Sequence, residues 1–152
     1  ERVRDALAEV SGLDTIEIEP AVVTQVAAKA RDYAWQMTIY TRGPEVVGVA
    51  PAGSRPLGVA VDLGTTKVAA YLVDLQSGED LAAVAAANPQ IAYGEDVISR
   101  LVYAHRQEQG SEKMAMLIRE TLDEIVGELV AEAGAGREEV AATSASPTLA
   151  TR

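Results

Sequence analysis

The stretch Val61-Asp62-Leu63-Gly64-Thr65-Thr66-Lys67 lies between two apolar segments and determines how the rest of the chain is interpreted. Gly64 has no Cβ, so its backbone can come close to an anion. Thr65 and Thr66 follow with hydroxyl and backbone N–H groups, which are donors suited to phosphate oxygens. The stretch therefore predicts a tight turn between two strands that binds a phosphate group.

Two charged side chains flank this turn. Asp62 ends the first strand and is expected to point into the same space, where it can hold Mg²⁺ through the water shell of the ion. Lys67 adds a cation beside the turn. A Walker loop would need a following helix and a Gly-Lys-Ser/Thr step, so the hairpin is a different kind of phosphate site. An ordinary Gly-containing hairpin without a ligand is the alternative that these residues alone leave open.

Three segments around the turn predict an antiparallel meander. Residues 57–61 are almost wholly apolar, as expected for a buried central strand. Residues 67–75 predict the second strand, a turn follows at 76–79, and residues 80–87 predict the third strand. Connections this short join strands that run antiparallel. The fold class is therefore α/β, with helices following this sheet.

Helical periodicity follows the meander. Residues 95–109 predict a helix with one apolar side, formed by Val97, Ile98, Leu101 and Val102. Gly110 is expected to end this helix, and Ser111 is expected to cap the next one. The second helix carries the strongest apolar stripe of the chain, formed by Met114, Leu117, Ile118, Leu122, Ile125, Val126, Leu129 and Val130. Residues 139–143 predict the start of a fourth strand.

A small α+β module is predicted before the meander. Its elements are a helix over 1–11, a strand over 16–19, a helix over 20–33 and strands over 35–41 and 45–49. Trp35 is expected to anchor the core of this module. Proline, glycine and serine over residues 51–56 have the composition of a linker. The predicted organisation is a module over 1–50, a linker over 51–56 and a second domain over 57–152.

Composition narrows the classes of function. The formal net charge of −10 disfavours binding to nucleic acid or to an anionic membrane surface. The chain contains no cysteine, which excludes a disulfide framework and a Cys-ligated iron–sulfur cluster within it. No apolar run approaches the roughly 18 residues of a spanning helix, and no signal-peptide core is evident at the start. Cytoplasmic localisation is the expectation.

Beyond these local patterns, the chain resembles a known family. The apolar strand, acidic strand end, Gly-Thr-Thr turn and two further strands resemble the opening of the actin-like, ribonuclease H-like ATPase fold. Residues 58–75 are similar to the start of the ATPase domain in reductive activators of corrinoid proteins. The next family segment resembles Asn88-Pro89-Gln90-Ile91-Ala92-Tyr93-Gly94-Glu95-Asp96-Val97-Ile98-Ser99-Arg100. Residues 32–46 resemble part of the middle domain that precedes the ATPase, and the resemblance covers about residues 13–140.

The resemblance implies an ATP-hydrolysing protein that delivers one low-potential electron to a corrinoid protein partner. It implies that the partner is returned from the Co(II) to the Co(I) state, with ATP and Mg²⁺ as cofactors. In the family the electron enters through a ferredoxin-like domain with a 2Fe–2S cluster, which would lie outside this chain. Asp62, Gly64, Thr65 and Thr66 match the first phosphate motif of the family, so the resemblance implies phosphate and Mg²⁺ contacts for them.

Five residues match the second family segment without an assigned role, namely Gln90, Tyr93, Glu95, Asp96 and Arg100. An acidic residue there facing the nucleotide is one interpretation. A helix start, with Glu95 and Asp96 favoured by the positive end of the helix dipole, is the other and the preferred one.

The chain also departs from the family pattern. Similar proteins place a Gly-Asn-containing loop after the fourth strand, where residues 143–148 put Ala145 and Ser146. The actin-like fold binds ATP between two related halves, and only the first is expected here. We therefore expect a piece of a longer protein, without measurable ATPase activity alone. The alternatives are a small-molecule kinase of the acetate and sugar kinase superfamily, and a non-catalytic interaction module with a decayed nucleotide site.

Overall fold

The computed structural model describes residue 5, residues 16–18 and residues 20–148. The chain is a mixed α/β protein that divides into two compact units, Glu1–Pro56 and Leu57–Arg152. The first contains β1 (Glu17–Ile18), α1 (Pro20–Asp32), β2 (Met37–Arg42) and β3 (Glu45–Pro51). The second contains β4 (Leu57–Gly64), β5 (Lys67–Asp74), β6 (Asp80–Ala87), a 3₁₀ helix (Pro89–Tyr93), α2 (Val97–Arg106), α3 (Gly110–Glu132), a second 3₁₀ helix (Arg137–Glu139) and β7 (Val140–Thr148). The helix predicted over residues 1–11 lies, apart from residue 5, outside the described residues.

The first unit is a three-stranded sheet against which α1 packs. Its strand order is β1-β3-β2, with β1 parallel and β2 antiparallel to β3. The core contains Ile16, Val22, Val46 and Val49, all buried. Val46 and Val49 share one face of β3 because a register shift inserts one extra residue between them, and Val22 comes from α1. The predicted order of strand, helix, strand and strand is present. Aliphatic side chains fill the core.

Trp35 does not anchor this core, so that prediction was wrong. Its side chain is 74% exposed, and β2 begins only at Met37. The reason is the way α1 ends: Ala34 and Trp35 both adopt left-handed backbone conformations, with φ of 50° and 63°. The Trp35 N–H donates to the Ala30 carbonyl oxygen at 2.8 Å, which satisfies the end of the helix. This turn directs the Trp35 side chain into solvent.

The second unit is built on a four-stranded sheet with the order β6-β5-β4-β7. The predicted meander is present, because β5 pairs antiparallel with both β4 and β6. Alternate residues of these strands pack against α3, whose predicted stripe contributes the rest of the core. The buried members are Leu57, Val59, Val61, Val68, Ala70, Leu72, Ala82, Ile125, Leu129 and Val130. One face of the sheet is therefore covered by a long amphipathic helix.

The fourth strand is longer than the sequence predicted. β7 pairs parallel with β4 and continues through residues 143–148, where a loop was expected. The register places Ser146 opposite Asp62 and Thr148 opposite Gly64. Within the described residues β7 is an edge strand, and an edge can accept Pro147 because one row of its N–H groups needs no strand partner. The residues for which a loop was expected, 143–148, therefore lie in a strand beside β4, which contains Asp62.

The junction between α2 and α3 also differs from the prediction. α2 ends at Arg106, and Gly110 is the first residue of α3 rather than a stop signal for α2. The residue that caps α3 is Gln109, in a left-handed conformation with φ 61°, and not Ser111. A Cβ on Gly110 would lie 2.8 Å from the Ala104 carbonyl oxygen. Glycine is needed here because the two helices approach closely.

The apolar side of α2 lies on the surface of the second unit. Val97, Ile98, Leu101 and Val102 are all exposed, and Ile98 reaches 69%. The buried residue of this helix is Arg100. Among the described residues, no helix combines the length and the apolar character that crossing a bilayer requires.

Candidate functional site

The predicted site residues lie around one turn between β4 and β5. β4 ends at Gly64 and β5 begins at Lys67, so Thr65 and Thr66 form the bend. The side chains of Asp62, Thr66 and Lys67 are exposed, while Gly64 and Thr65 are half-buried. Strand alternation puts Val61 in the core and Asp62 on the opposite, open face of the sheet. The turn is therefore accessible to a ligand from solvent.

Gly64 is required by a close backbone approach at this turn. A Cβ at this position would lie 2.8 Å from the Lys67 carbonyl oxygen, closer than Cβ atoms approach such atoms in proteins. The backbone conformation itself does not require glycine, since Gly64 is absent from the residues with positive φ. The sequence prediction that Gly64 brings backbone close to another group is consistent with this geometry.

Three successive carbonyl groups of the turn accept hydrogen bonds from residues 88–100. The Asn88 side-chain amide donates to the Gly64 carbonyl oxygen at 2.8 Å, and the Asn88 N–H donates to that of Thr66 at 2.9 Å. The Arg100 guanidinium donates to the Thr65 carbonyl oxygen at 2.6 Å. Asn88 and Arg100 are only 3% and 6% exposed. The turn is thus held from inside the unit by two buried polar side chains.

The same two side chains also order the segment that carries them. Asn88 caps the 3₁₀ helix, because its Oδ1 accepts from the Gln90 N–H at 2.9 Å. Gln90 in turn donates its side-chain amide to the Met114 carbonyl oxygen of α3 at 3.0 Å. Arg100 uses its Nε to donate to the Gly94 carbonyl oxygen at 2.8 Å. Hydrogen bonds therefore connect the turn, the 3₁₀ helix and both helices.

The preferred interpretation of the acidic residues, a helix start, is confirmed for Asp96, which is the N-cap of α2. Its carboxylate caps the helix by accepting from the Ser99 N–H and hydroxyl, both at 2.8 Å. These two hydrogen bonds, the backbone one first, lower the pKa of Asp96 below its ordinary value. Glu95 is exposed beside it.

Tyr93 belongs to a small cluster on the surface of the same unit. Its ring lies 4.8 Å from that of Tyr103, and the Lys113 ammonium lies 4.9 Å from the Tyr93 ring centroid. Hydrogen bonding to Tyr93 and the nearby tyrosine oxygens raise the pKa of Lys113. Tyr93 therefore packs where the 3₁₀ helix, α2 and α3 meet.

A divalent cation at the turn would depend on Asp62 and on ligands from outside the protein. Among residues 16–18 and 20–148 no group of three His, Asp or Glu side chains that could hold a metal is found. A single exposed carboxylate fits the way Mg²⁺ is commonly held, through waters and substrate phosphates. The residues present therefore fit a hydrated Mg²⁺ that arrives with a polyphosphate.

Sequence reasoning missed Asn88 as a site residue and left Arg100 without a role. The Asn-Pro step at 88 and 89 is a signal for a capping side chain, which explains one of the two hydrogen bonds that the Asn88 side chain makes. Nothing local marks Arg100, because its partner Thr65 lies 35 residues away.

The chain matches one family model, and two similar proteins show what it is related to. The family model described as RACo middle region matches residues 57–148, which lie within the second unit. The corrinoid activation enzyme RamQ of Eubacterium limosum is 33% identical over 108 residues, which make up 69% of this chain and 18% of that protein. A solved structure of a reductive activator for corrinoid, iron-sulfur protein matches with a TM-score of 0.70 and 26% identity, over 96% of this chain and 24% of that one.

The chain thus spans about a fifth to a quarter of the length of these two relatives. The family model covers the stretch that the sequence resemblance assigned to the start of the ATPase domain. The assignment of residues 1–50 to a middle domain stays a prediction.

Proposed function

The chain belongs to the RACo middle region family, and on that premise we propose that it works within an ATP-dependent reductive activator of a corrinoid protein. In this proposal the second unit is the first part of an actin-like ATPase domain. Its β4–β5 turn is the first phosphate-binding hairpin. The activator returns its corrinoid partner from Co(II) to Co(I). The names of the two relatives, a corrinoid activation enzyme and a reductive activator, support the choice of partner.

One observation carries the nucleotide part of the proposal: the Gly64-Thr65-Thr66 turn is open to solvent, with the exposed Asp62 carboxylate beside it. A hairpin with a purely structural role has no need of two successive hydroxyl residues and a carboxylate on its accessible side. A phosphate needs N–H and hydroxyl donors within hydrogen-bond distance, and those are the groups at this turn.

The proposed ligand is Mg-ATP, which suits an acidic protein better than free ATP does. The chain carries a net charge of −10, so a highly charged anion would be repelled at long range. Bound Mg²⁺ neutralises part of the triphosphate charge and bridges phosphate oxygens. Asp62 would hold the ion through water, Thr65 and Thr66 would donate to phosphate oxygens, and Lys67 would balance charge.

The proposed coupling between nucleotide and electron transfer is thermodynamic. If Mg-ATP binds one state of the activator–corrinoid complex more tightly than another, it shifts the population toward that state. Linkage then requires the corrinoid partner to change the affinity for Mg-ATP by the same factor. The iron–sulfur cluster that supplies the electron would belong to a part of the protein outside this chain.

The test is calorimetric titration of the full-length protein with Mg-ATP and, separately, with ATP in excess EDTA. We expect wild type to prefer Mg-ATP. We expect Asp62→Asn to reduce the ratio of the affinity for Mg-ATP to that for free ATP roughly tenfold, because the Asp62 carboxylate interacts with the ion. Asp80→Asn, which removes an exposed carboxylate at the start of β6, is the matched control and should leave the preference unchanged.

The same preparation tests the activity with a Co(II) corrinoid protein, a low-potential electron donor and an absorbance record of Co(I) formation. Formation that depends on Mg-ATP supports the activator. Transfer of the γ-phosphoryl group to acetate or a sugar, with no Co(I), would replace the proposal with the kinase. No heat of Mg-ATP binding in the full-length protein would refute the nucleotide site.

A further inference from the structure

The buried side chains behind the turn control the direction of its peptide groups. Asn88 and Arg100 hold the carbonyl oxygens of Gly64, Thr65 and Thr66 toward the interior of the unit. The described residues contain no cis peptide bond, and a trans peptide is planar with its N–H opposite its carbonyl. The Thr66 N–H lies opposite the Thr65 carbonyl in the same peptide, so it points away from the interior.

This N–H group is available to a ligand. Within residues 16–18 and 20–148, the Thr66 N–H donates to no other protein group, whereas the Thr65 N–H belongs to the β4–β7 ladder, whose register extends to Gly64 opposite Thr148. An outward N–H group beside the Thr65 and Thr66 hydroxyls is a donor set suited to an anion. Orientation that exists before the ligand arrives costs no rearrangement on binding.

Arg100 adds a charge to this arrangement. The guanidinium is almost fully buried, yet its hydrogen bonds go to the Gly94 and Thr65 carbonyl oxygens. No ion pair joins it to a carboxylate in the part of the chain that the structure describes, and its attraction to the exposed Asp96 carboxylate is the smallest of the effects on the pKa of that group. Carbonyl oxygens do not cancel a positive charge, so a field favourable to an anion remains at the turn.

We infer that Asn88 and Arg100 are positioning residues for a polyphosphate ligand. They hold the carbonyl side of the turn so that the Thr66 N–H group stays directed at phosphate oxygens. The inference rests on the proposed function and deepens it. The group recognised by the turn is the phosphate chain itself, so inorganic tripolyphosphate with Mg²⁺ should bind in the same place as the phosphates of Mg-ATP.

A merely structural role is the alternative, since both side chains also order residues 88–100. The two roles differ in what changes when the side chains are altered. Structural damage would lower the unfolding temperature and weaken every ligand in proportion to the loss of folded protein. A positioning role changes the affinity for phosphate ligands and the environment of the Thr66 N–H group in protein that remains folded.

The experiment uses the full-length protein and four variants: Arg100→Met, Arg100→Lys, Asn88→Ser and the control Arg106→Met. Arg106 lies on the exposed side of the same helix. Dissociation constants for Mg-ATP and for Mg-tripolyphosphate are measured by calorimetry. Protein labelled with 15N-threonine reports the amide resonances of Thr65 and Thr66, assigned with Thr→Ser variants. Thermal unfolding shows that each variant is folded at the temperature of titration.

We expect Arg100→Met and Asn88→Ser to weaken both ligands by the same factor, roughly 10- to 100-fold. Arg100→Lys keeps the charge and one donor, so its affinity should fall between those of wild type and Arg100→Met. In wild type the Thr66 amide resonance should move downfield on saturation with tripolyphosphate. In Arg100→Met that shift should be smaller, and in Arg106→Met it should be that of wild type.

Two kinds of result overturn the inference, and they are distinguishable. If wild type binds Mg-ATP but folded Arg100→Lys and Asn88→Ser bind both ligands as wild type does, the positioning role is wrong and the proposed function stands. Weaker binding of Mg-ATP with unchanged binding of Mg-tripolyphosphate would also contradict the inference, because the substitution would then act on the nucleoside and not on the phosphate chain. If wild type binds neither ligand, the proposed function fails and the inference fails with it.

Discussion

Replacing Gly64 by alanine is the sharpest test of the turn, because β4 contains a second glycine that serves as its control. A Cβ on Gly64 would lie 2.8 Å from the Lys67 backbone carbonyl oxygen. A Cβ on Gly58, at the other end of the strand, would lie 2.7 Å from the Leu75 Cδ2 atom. The two approaches are nearly equal in distance. They differ in that one neighbour is backbone and the other is the end of a flexible side chain.

The magnitude follows from what has to move. Ordinary contact begins at 3.4 Å, so Gly64→Ala needs a backbone shift of about 0.6 Å at the point where β5 pairs with β6. Overpacking of this kind costs about 1–3 kcal/mol, and the smaller entropy of an alanine chain in the unfolded state returns about 0.4–1 kcal/mol. The net loss is about 1–2 kcal/mol. Gly58→Ala should be nearly neutral, because the Leu75 side chain is 51% exposed and can rotate away.

Urea unfolding of both variants, with circular dichroism as the signal, measures the difference. A loss of about 1–2 kcal/mol corresponds to a decrease of about 4–16 °C in the unfolding temperature of a unit this size. Gly64→Ala should also weaken Mg-ATP in the full-length protein, because the shift disturbs the carbonyl groups that Asn88 holds. Equal stability losses in the two variants, or a neutral Gly64→Ala, would refute the argument that the turn needs glycine for backbone contact.

The remaining predictions concern the core, a helix cap and a surface residue. Leu72 is fully buried, so Leu72→Ala should cost about 2–5 kcal/mol in urea unfolding, against about 0.5 kcal/mol or less for the exposed Leu75→Ala. The hydrogen bonds from Ser99 lower the pKa of Asp96 in the folded state, so its stabilisation is present above the unfolded pKa and is lost as pH falls through the folded pKa. The gap in unfolding temperature between wild type and Asp96→Ala should therefore narrow below about pH 4, and a constant gap would contradict the assignment. Trp35 is exposed with φ 63°, so Trp35→Gly should leave stability unchanged or raise it by about 1 kcal/mol, whereas a loss of about 3 kcal/mol would place Trp35 in the core after all.

Elements that bury one regular face could be predicted from the sequence. The strands of the meander and the stripe of α3 alternate or repeat with the period of their own geometry, and both bury that face in one core. The observed bounds of these elements are close to the predicted ones; β6, for example, spans Asp80–Ala87 as predicted. In these elements the local pattern and the final packing agree, because the partner surface lies within the same compact unit.

The pattern of α2 was equally regular and yet misleading about burial. Periodicity states that Val97, Ile98, Leu101 and Val102 share one side of a helix. It does not state that a partner covers that side, and here it is exposed. The Trp35 prediction failed for a related reason, since an aromatic residue suggests a core only if the backbone directs it inward. A left-handed turn at the end of α1 decided the direction instead.

The candidate site shows why a local motif was only part of the answer. Asp62, Gly64, Thr65, Thr66 and Lys67 could be selected from sequence because they are consecutive. Their peptide directions could not, because those depend on hydrogen bonds from residues 24 and 35 positions away.

A short turn cannot hold three successive carbonyl groups on one side by itself, since each would otherwise turn toward water. The buried donors Asn88 and Arg100 impose that direction. The physical unit of the proposed phosphate site is therefore the hairpin together with residues 88–100. A Gly-Thr-Thr hairpin that lacks the hydrogen bonds from residues 88–100 should therefore bind phosphate weakly, even if the hairpin residues themselves are unchanged.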